Sequence, residues 1–193
     1  MSFVIEVRFF AKSILLQGHE PLDSRHPHAQ LGRAGKTPLL AHAHYRREEI
    51  LPALGIRTFE KSPDMAHVSG GAWSENFRTD ALLINLKKSE RDFSPTMMYR
   101  DYAINRERFH WESQNNTRAS SAVGRRYATK QSNGTDTLLF IREAPDDEVG
   151  TVPFVCLGSA DLFSWRGERP MQITWSLHRG MPVDLFRTSG AVS

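Results

Sequence analysis

The chain has 193 residues, 39% hydrophobic and 24% charged, with a formal net charge of +3 and a single cysteine. That balance describes one globular domain with a short appendage and excludes a disordered or fibrous chain. One cysteine, Cys156, excludes an intrachain disulfide framework and a multi-cysteine zinc site, and no apolar run reaches the roughly 18–20 residues of a membrane span, so the expected compartment is the cytoplasm.

In chain order, residues 1–38 come first and show no sustained periodicity. They hold three of the eight histidines (His19, His26, His28) and read as an N-terminal extension, with a strand or a helix open at Phe3–Leu16. Glu6, Arg8 and Lys12 interrupt that stretch and spoil it as a signal-peptide core. Residues 39–193 read as one domain. Tyr45–Gly55 places Ile50, Leu51 and Leu54 on one helical face, with Gly55 as a stop and Pro52 restricting the helix to short turns.

From Val68 onward the pattern favours strands. Gly70–Trp73 and Ala81–Leu86 flank a polar turn at Asn76–Asp80, which is a hairpin signature. Phe109–Ser113 alternates, as does Arg126-Tyr127-Ala128. Thr137–Ile141 is a continuous apolar run of the buried-strand type. Val152–Leu162 and Met171–Leu177 read as strands joined across Trp165–Pro170, where Gly167 and Pro170 suit a turn. Trp73, Trp165 and Trp175 are assigned to the core. Without a strand–long-helix rhythm, the expected fold is mainly β (α+β): a partly closed β-barrel or strongly curved sheet with a few short helices.

Charge is uneven along the chain. Residues 87–130 carry ten Lys/Arg against five acids, while residues 131–193 carry five against eight. Phe93, Tyr99, Tyr102, Phe109, Trp111 and Tyr127 lie among the basic residues. Cations attract phosphates and flat rings offer stacking faces, a mixture that suits nucleic acid. A solvated surface over ordinary core aromatics has the same composition.

Catalytic signatures are missing. Gly35-Lys36-Thr37 echoes a phosphate loop, but the first glycine of that motif would stand where Gln30 does. His42 and His44, like His26 and His28, lack further Cys or carboxylate partners at metal-ligand spacing. Cys156, between Val155 and Leu157, reads as a buried small hydrophobe. No catalytic residue, metal or cofactor is therefore assigned.

Several separated segments carry a resemblance. They are Pro38–Leu40, Tyr45–Gly55, Leu86–Thr96, Tyr99–Ile104, Phe109–Gln114, Leu138–Glu143, Leu157–Asp161 and Gly167–Leu177. At these residues the chain resembles the C-terminal domain of bacterial restriction-type proteins that join a phospholipase-D-like nuclease to a DEAD-box helicase. The resemblance spans about 39–187. It implies similarity to PUA-like β-barrels, including the SET- and RING-associated domain, and recognition of modified (methylated) cytosine in double-stranded DNA by base flipping. No nuclease or helicase segment is present here, so a separately encoded nuclease or helicase is the implied partner.

On that reading Tyr99, Tyr102 and Trp111 are the candidate stacking residues, and Asp101 would accept from a cytosine amino group. Ser113 and Gln114 would read other edge atoms, and Lys87, Lys88, Arg91, Arg125 and Arg126 would hold phosphates. Each has a plainer role open to it. Trp111 could pack inward, Tyr99 and Tyr102 could share a helix face, Asp101 could pair with Arg100 or Arg106, and the Arg125–Arg126 pair could be solvated. Three other functions stay open: an RNA-binding PUA-like module, a nuclease of unrecognised mechanism, and a protein-docking domain.

Overall fold

The computed structural model of the chain describes residues 29–56, 70–86, 101–129, 134–146, 148 and 150–189. Tyr99, Lys87, Lys88 and Arg91, like the Phe3–Leu16 stretch, lie outside the described residues.

A short 3-10 segment at Ala29–Lys36 opens the described chain. Its Leu31 and Ala34 are fully buried, so packing extends upstream of residue 39. Strand β1 (His44–Tyr45) precedes helix α1 (Arg47–Ala53). The Arg46 backbone N–H donates to Glu49 Oε2 at 2.7 Å, which satisfies a donor that the first helical turn leaves open. Ile50, Leu51 and Leu54 are fully buried, and Gly55 leaves the helix at φ 63°, a conformation that favours glycine.

Eight strands form one sheet in the order β2-β3-β6-β7-β8-β5-β4, with β1 on the side of β7. The ranges are β2 Gly71–Ser74, β3 Thr79–Asn85, β4 Tyr102–Asn105, β5 Arg108–Glu112, β6 Asp136–Arg142, β7 Phe154–Arg166 and β8 Gln172–Leu177. Helix α2 (Ala122–Ala128) lies between β5 and β6, and α3 (Val183–Ser189) follows β8. The fold is mainly β with a few short helices, and the hydrogen-bonded path among the described residues runs open from β2 to β4.

The pairing of β3 with β6 explains their apolar runs. Strands β3 and β6 pair in parallel from Thr79↔Asp136 to Asn85↔Arg142. Side chains alternate across a sheet, so Leu82, Ile84, Leu139 and Ile141 enter one core while Ala81, Leu83, Leu138 and Phe140 enter another. The second core is closed by Leu31, Leu39, Tyr45, Ile50 and Leu54. Cys156 is buried there, and burial pushes its thiol up to about 12, so it packs as a hydrophobe and not as a nucleophile.

The sheet is strongly curled. Adjacent strands stand about 4.8 Å apart, so β2 and β5, five steps apart, would be roughly 24 Å apart in a flat sheet. Yet Tyr127 of α2 meets both. Its ring lies 5.4 Å from that of Trp111 on β5, and its hydroxyl oxygen lies 3.3 Å from where a Cβ on Gly71 of β2 would stand. The bend runs through β7, whose first half pairs with β6 and second half with β8. Register shifts interrupt both ladders, and such bulges increase local twist.

Three local readings are corrected. Arg126-Tyr127-Ala128 is helical, not extended: the Ser121 side chain caps α2 by accepting from the Gly124 N–H at 3.0 Å. Three residues are too few to separate a period of two from one of 3.6. The turn of the first hairpin is tighter than expected, since β3 starts at Thr79 and takes in Asp80. Trp165 lies inside β7 and is 43% exposed rather than core, whereas Trp175 is fully buried.

Candidate functional site

The β2–β3 register puts Trp73 directly opposite Asp80. Residues opposed in an antiparallel pair present their side chains on the same face. Asp80 is nearly fully buried, which an isolated carboxylate does not tolerate. Its partner is Arg126: Nε donates to Oδ2 and NH2 to Oδ1, both at 2.7 Å, the forked geometry of a strong guanidinium–carboxylate pair. Burial pulls the Arg126 pKa down, but the hydrogen bonds and charge of Asp80 outweigh it, and the net shift is upward. The same guanidinium lies 4.2 Å from the Trp73 ring centroid, a cation–π contact. Trp73 is also held from its polar end, where Nε1 donates to Glu75 Oε2 at 2.6 Å.

Arg126 can do this because α2 is pressed hard against the preceding loop. A Cβ at Gly124 would collide with the Arg118 carbonyl oxygen and the Ala119 Cα, so only glycine permits that approach. The helix then directs Tyr127 inward, edge-on to Trp111 at 5.4 Å and edge-on to Trp175 at 6.4 Å. Burial pushes the Tyr127 phenol well above the ordinary tyrosine range, and the Asp80 carboxylate adds to the shift, so the hydroxyl keeps its proton.

Between these parts lies a cavity of about 380 Å³. Trp73, Trp111 and Tyr127 supply its aromatic surface, and Asp80, Arg126 and Gln114 supply polar groups. Asn116, Thr117, Ser121 and Val123 complete it from the loop and the start of α2. The exposed residues Arg118 and Arg125 belong to the same loop and helix, and exposed Arg169 is tied to them by Nε donating to the Asn115 carbonyl at 2.6 Å.

The structure sorts the expected site residues. Trp111, Gln114 and Arg126 line the cavity. Arg125 is exposed on α2, with its guanidinium donating to the Ser120 carbonyl. Tyr102 stands away, half-buried on β4 and tilted against His110 at 4.9 Å. Asp101 is committed to the fold, with Oδ1 accepting the Glu112 N–H at 2.9 Å. Ser113 is fully buried, and its Oγ accepts the Met171 N–H at 2.9 Å. Asp101 and Ser113 therefore hold the C-terminal end of β5 in place.

Sequence reasoning missed Trp73, Asp80 and Tyr127. Asp80 carried a usable signal, a lone carboxylate beginning an apolar run, but placing it in the turn hid it. Trp73 and Tyr127 carried none that distinguishes a cavity wall from core.

A family model described as "Domain of unknown function (DUF3427)" matches residues 39–188. The chain belongs to this family. A search of curated proteins finds no match to this DUF3427 chain. Among solved structures, Arabidopsis thaliana SUVH6 in complex with SAM is similar at 12% identity and a TM-score of 0.43. The similarity covers 91% of the DUF3427 chain and 37% of the SUVH6 chain, so the chain spans little more than a third of that protein. No helix among the described residues is long and apolar enough to cross a membrane.

Proposed function

We propose that this domain binds duplex DNA and reads a modified cytosine that has been rotated out of the stack into the cavity. The observation that carries the reading is the cavity itself, about 380 Å³ with two indoles and a phenol on its walls and the partly buried Asp80–Arg126 pair beside them. Extruding a base costs a few kcal/mol of stacking and pairing. Stacking on aromatic side chains returns about 1–3 kcal/mol per base. Trp73 and Trp111 are the stacking surfaces in this proposal.

Polar readout falls to Asp80 and Gln114. Asp80 brings a carboxylate to the cavity wall, the acceptor type that suits a cytosine amino donor. The Gln114 amide offers both a donor and an acceptor. Arg118, Arg125 and Arg169 are the proposed phosphate contacts among the described residues, joined by Lys87, Lys88 and Arg91 of the expected set. The resemblance puts such a reader in defence against foreign DNA, with strand cleavage left to a nuclease.

The test is a titration, at fixed salt, of labelled duplexes with one central cytosine or 5-methylcytosine, with an RNA hairpin as competitor. The modified duplex should bind several-fold tighter, and Trp73→Ala should erase that difference. Raising the salt should weaken both duplexes alike, because phosphate contacts ignore the base. Equal affinity for both duplexes, or preferential capture of the RNA, would overturn the reading.

A further inference from the structure

The size and lining of the cavity point beyond a methyl group. A cavity of about 150 Å³ already accommodates a benzene ring, and the one here is about 380 Å³. On that scale a pyrimidine ring leaves more than half of the space vacant, while two six-membered rings need roughly 300 Å³ and fit. A methyl substituent would also ask for an apolar wall. Half of the residues that line the cavity are polar instead.

Gln114, Asn116 and Thr117 line the same volume as Trp73 and Trp111. Amide and hydroxyl side chains both donate and accept, which matches a ligand hydroxyl, itself donor and acceptor at once. Indole faces complement the flat C–H faces of a saturated ring. Resting on the proposed function above, we infer that the preferred ligand is a cytosine whose 5-position carries a hydroxylated group the size of a hexose, not a bare methyl. In this inference the base stacks on the indoles of Trp73 and Trp111, and the substituent meets Asn116 and Thr117.

Four duplexes identical but for one central base test this: cytosine, 5-methylcytosine, 5-hydroxymethylcytosine and glucosylated 5-hydroxymethylcytosine, all titrated into the full chain at one salt concentration. The glucosylated duplex should bind at least about tenfold tighter than the methylated one, with hydroxymethyl between them. If the methylated duplex binds as well as or better than the glucosylated one but above cytosine, this inference falls and the base-reading function stands. If all four bind alike, both fall. Asn116→Phe, at an exposed position on the cavity, fills the space claimed for the sugar. It should weaken the glucosylated duplex about tenfold and the methylated duplex less than threefold, and an equal loss on both would overturn the placement of the substituent.

Discussion

The two faces of this sheet are built from the same strands and closed in different ways. One face is sealed by apolar side chains of the 3-10 segment and α1, with Leu31, Ile50 and Leu54 fully buried. The other is roofed in part by α2, whose Gly124-Arg125-Arg126-Tyr127 run brings an ion pair and a phenol instead of leucines. An apolar roof interdigitates and leaves no space. A roof that carries a partly buried ion pair must keep both partners hydrogen-bonded, and that geometry fixes where the flanking side chains stand. The cavity is the consequence, and it appears on the face whose cover is polar.

Four substitutions would break or sharpen that contrast. Asp80→Ala leaves a partly buried guanidinium without its partner. Breaking such pairs costs about 3–5 kcal/mol, and the low end is expected because the Arg126 side chain is still 20% exposed. Chemical denaturation would show the loss, and binding should fail with it. On the sealed face, Leu54→Ala removes a fully buried side chain and should cost about 2–4 kcal/mol while leaving DNA affinity unchanged wherever the protein is folded. A matching loss of affinity would mean the two faces are not independent.

Trp73→Ala should behave in the opposite sense. It removes a stacking surface worth about 1–3 kcal/mol of binding, or roughly 5- to 150-fold in Kd, with a stability change near the scale of one cation–π contact, about 0.5–1 kcal/mol. Calorimetric titration beside thermal unfolding separates the two.

At neutral pH the smallest effect concerns His42, half-buried beside the sealed core at φ 68°. Burial lowers its pKa to about 4, and the charges of Arg179 and Arg106 act in the same direction. The unfolded chain therefore binds more protons between about 6.5 and 4, and stability is lost as pH falls through that window. His42→Asn keeps a side chain that tolerates positive φ but removes the titration. Its unfolding midpoint should fall less steeply than wild type between pH 6.5 and 4.5, and parallel slopes would remove His42 as the cause.

Much of this architecture could be read from the residues alone. The continuous runs at Ala81–Leu86 and Thr137–Ile141 are strands with both faces covered, and Ile50, Leu51 and Leu54 mark the buried side of α1. These features are legible because period and burial act over a few neighbouring residues. The concentration of cations and rings in 87–130 was visible in the same way, as local composition.

The site was legible only in part. Trp111 and Gln114, expected at the base, line the cavity, and so does Arg126, which was expected at a phosphate and has its guanidinium on Asp80. Asp101 and Ser113 look equally suitable in sequence, yet their acceptors are taken by the backbone of Glu112 and Met171. Local order along the chain settled which segments extend, which coil and which turn, because those choices rest on contacts within a few residues. Which rings face a cavity was settled by the curl of the sheet and the docking of α2. These bring β2 and β5 together although four strands separate them in the hydrogen-bonded order, a proximity no local pattern encodes.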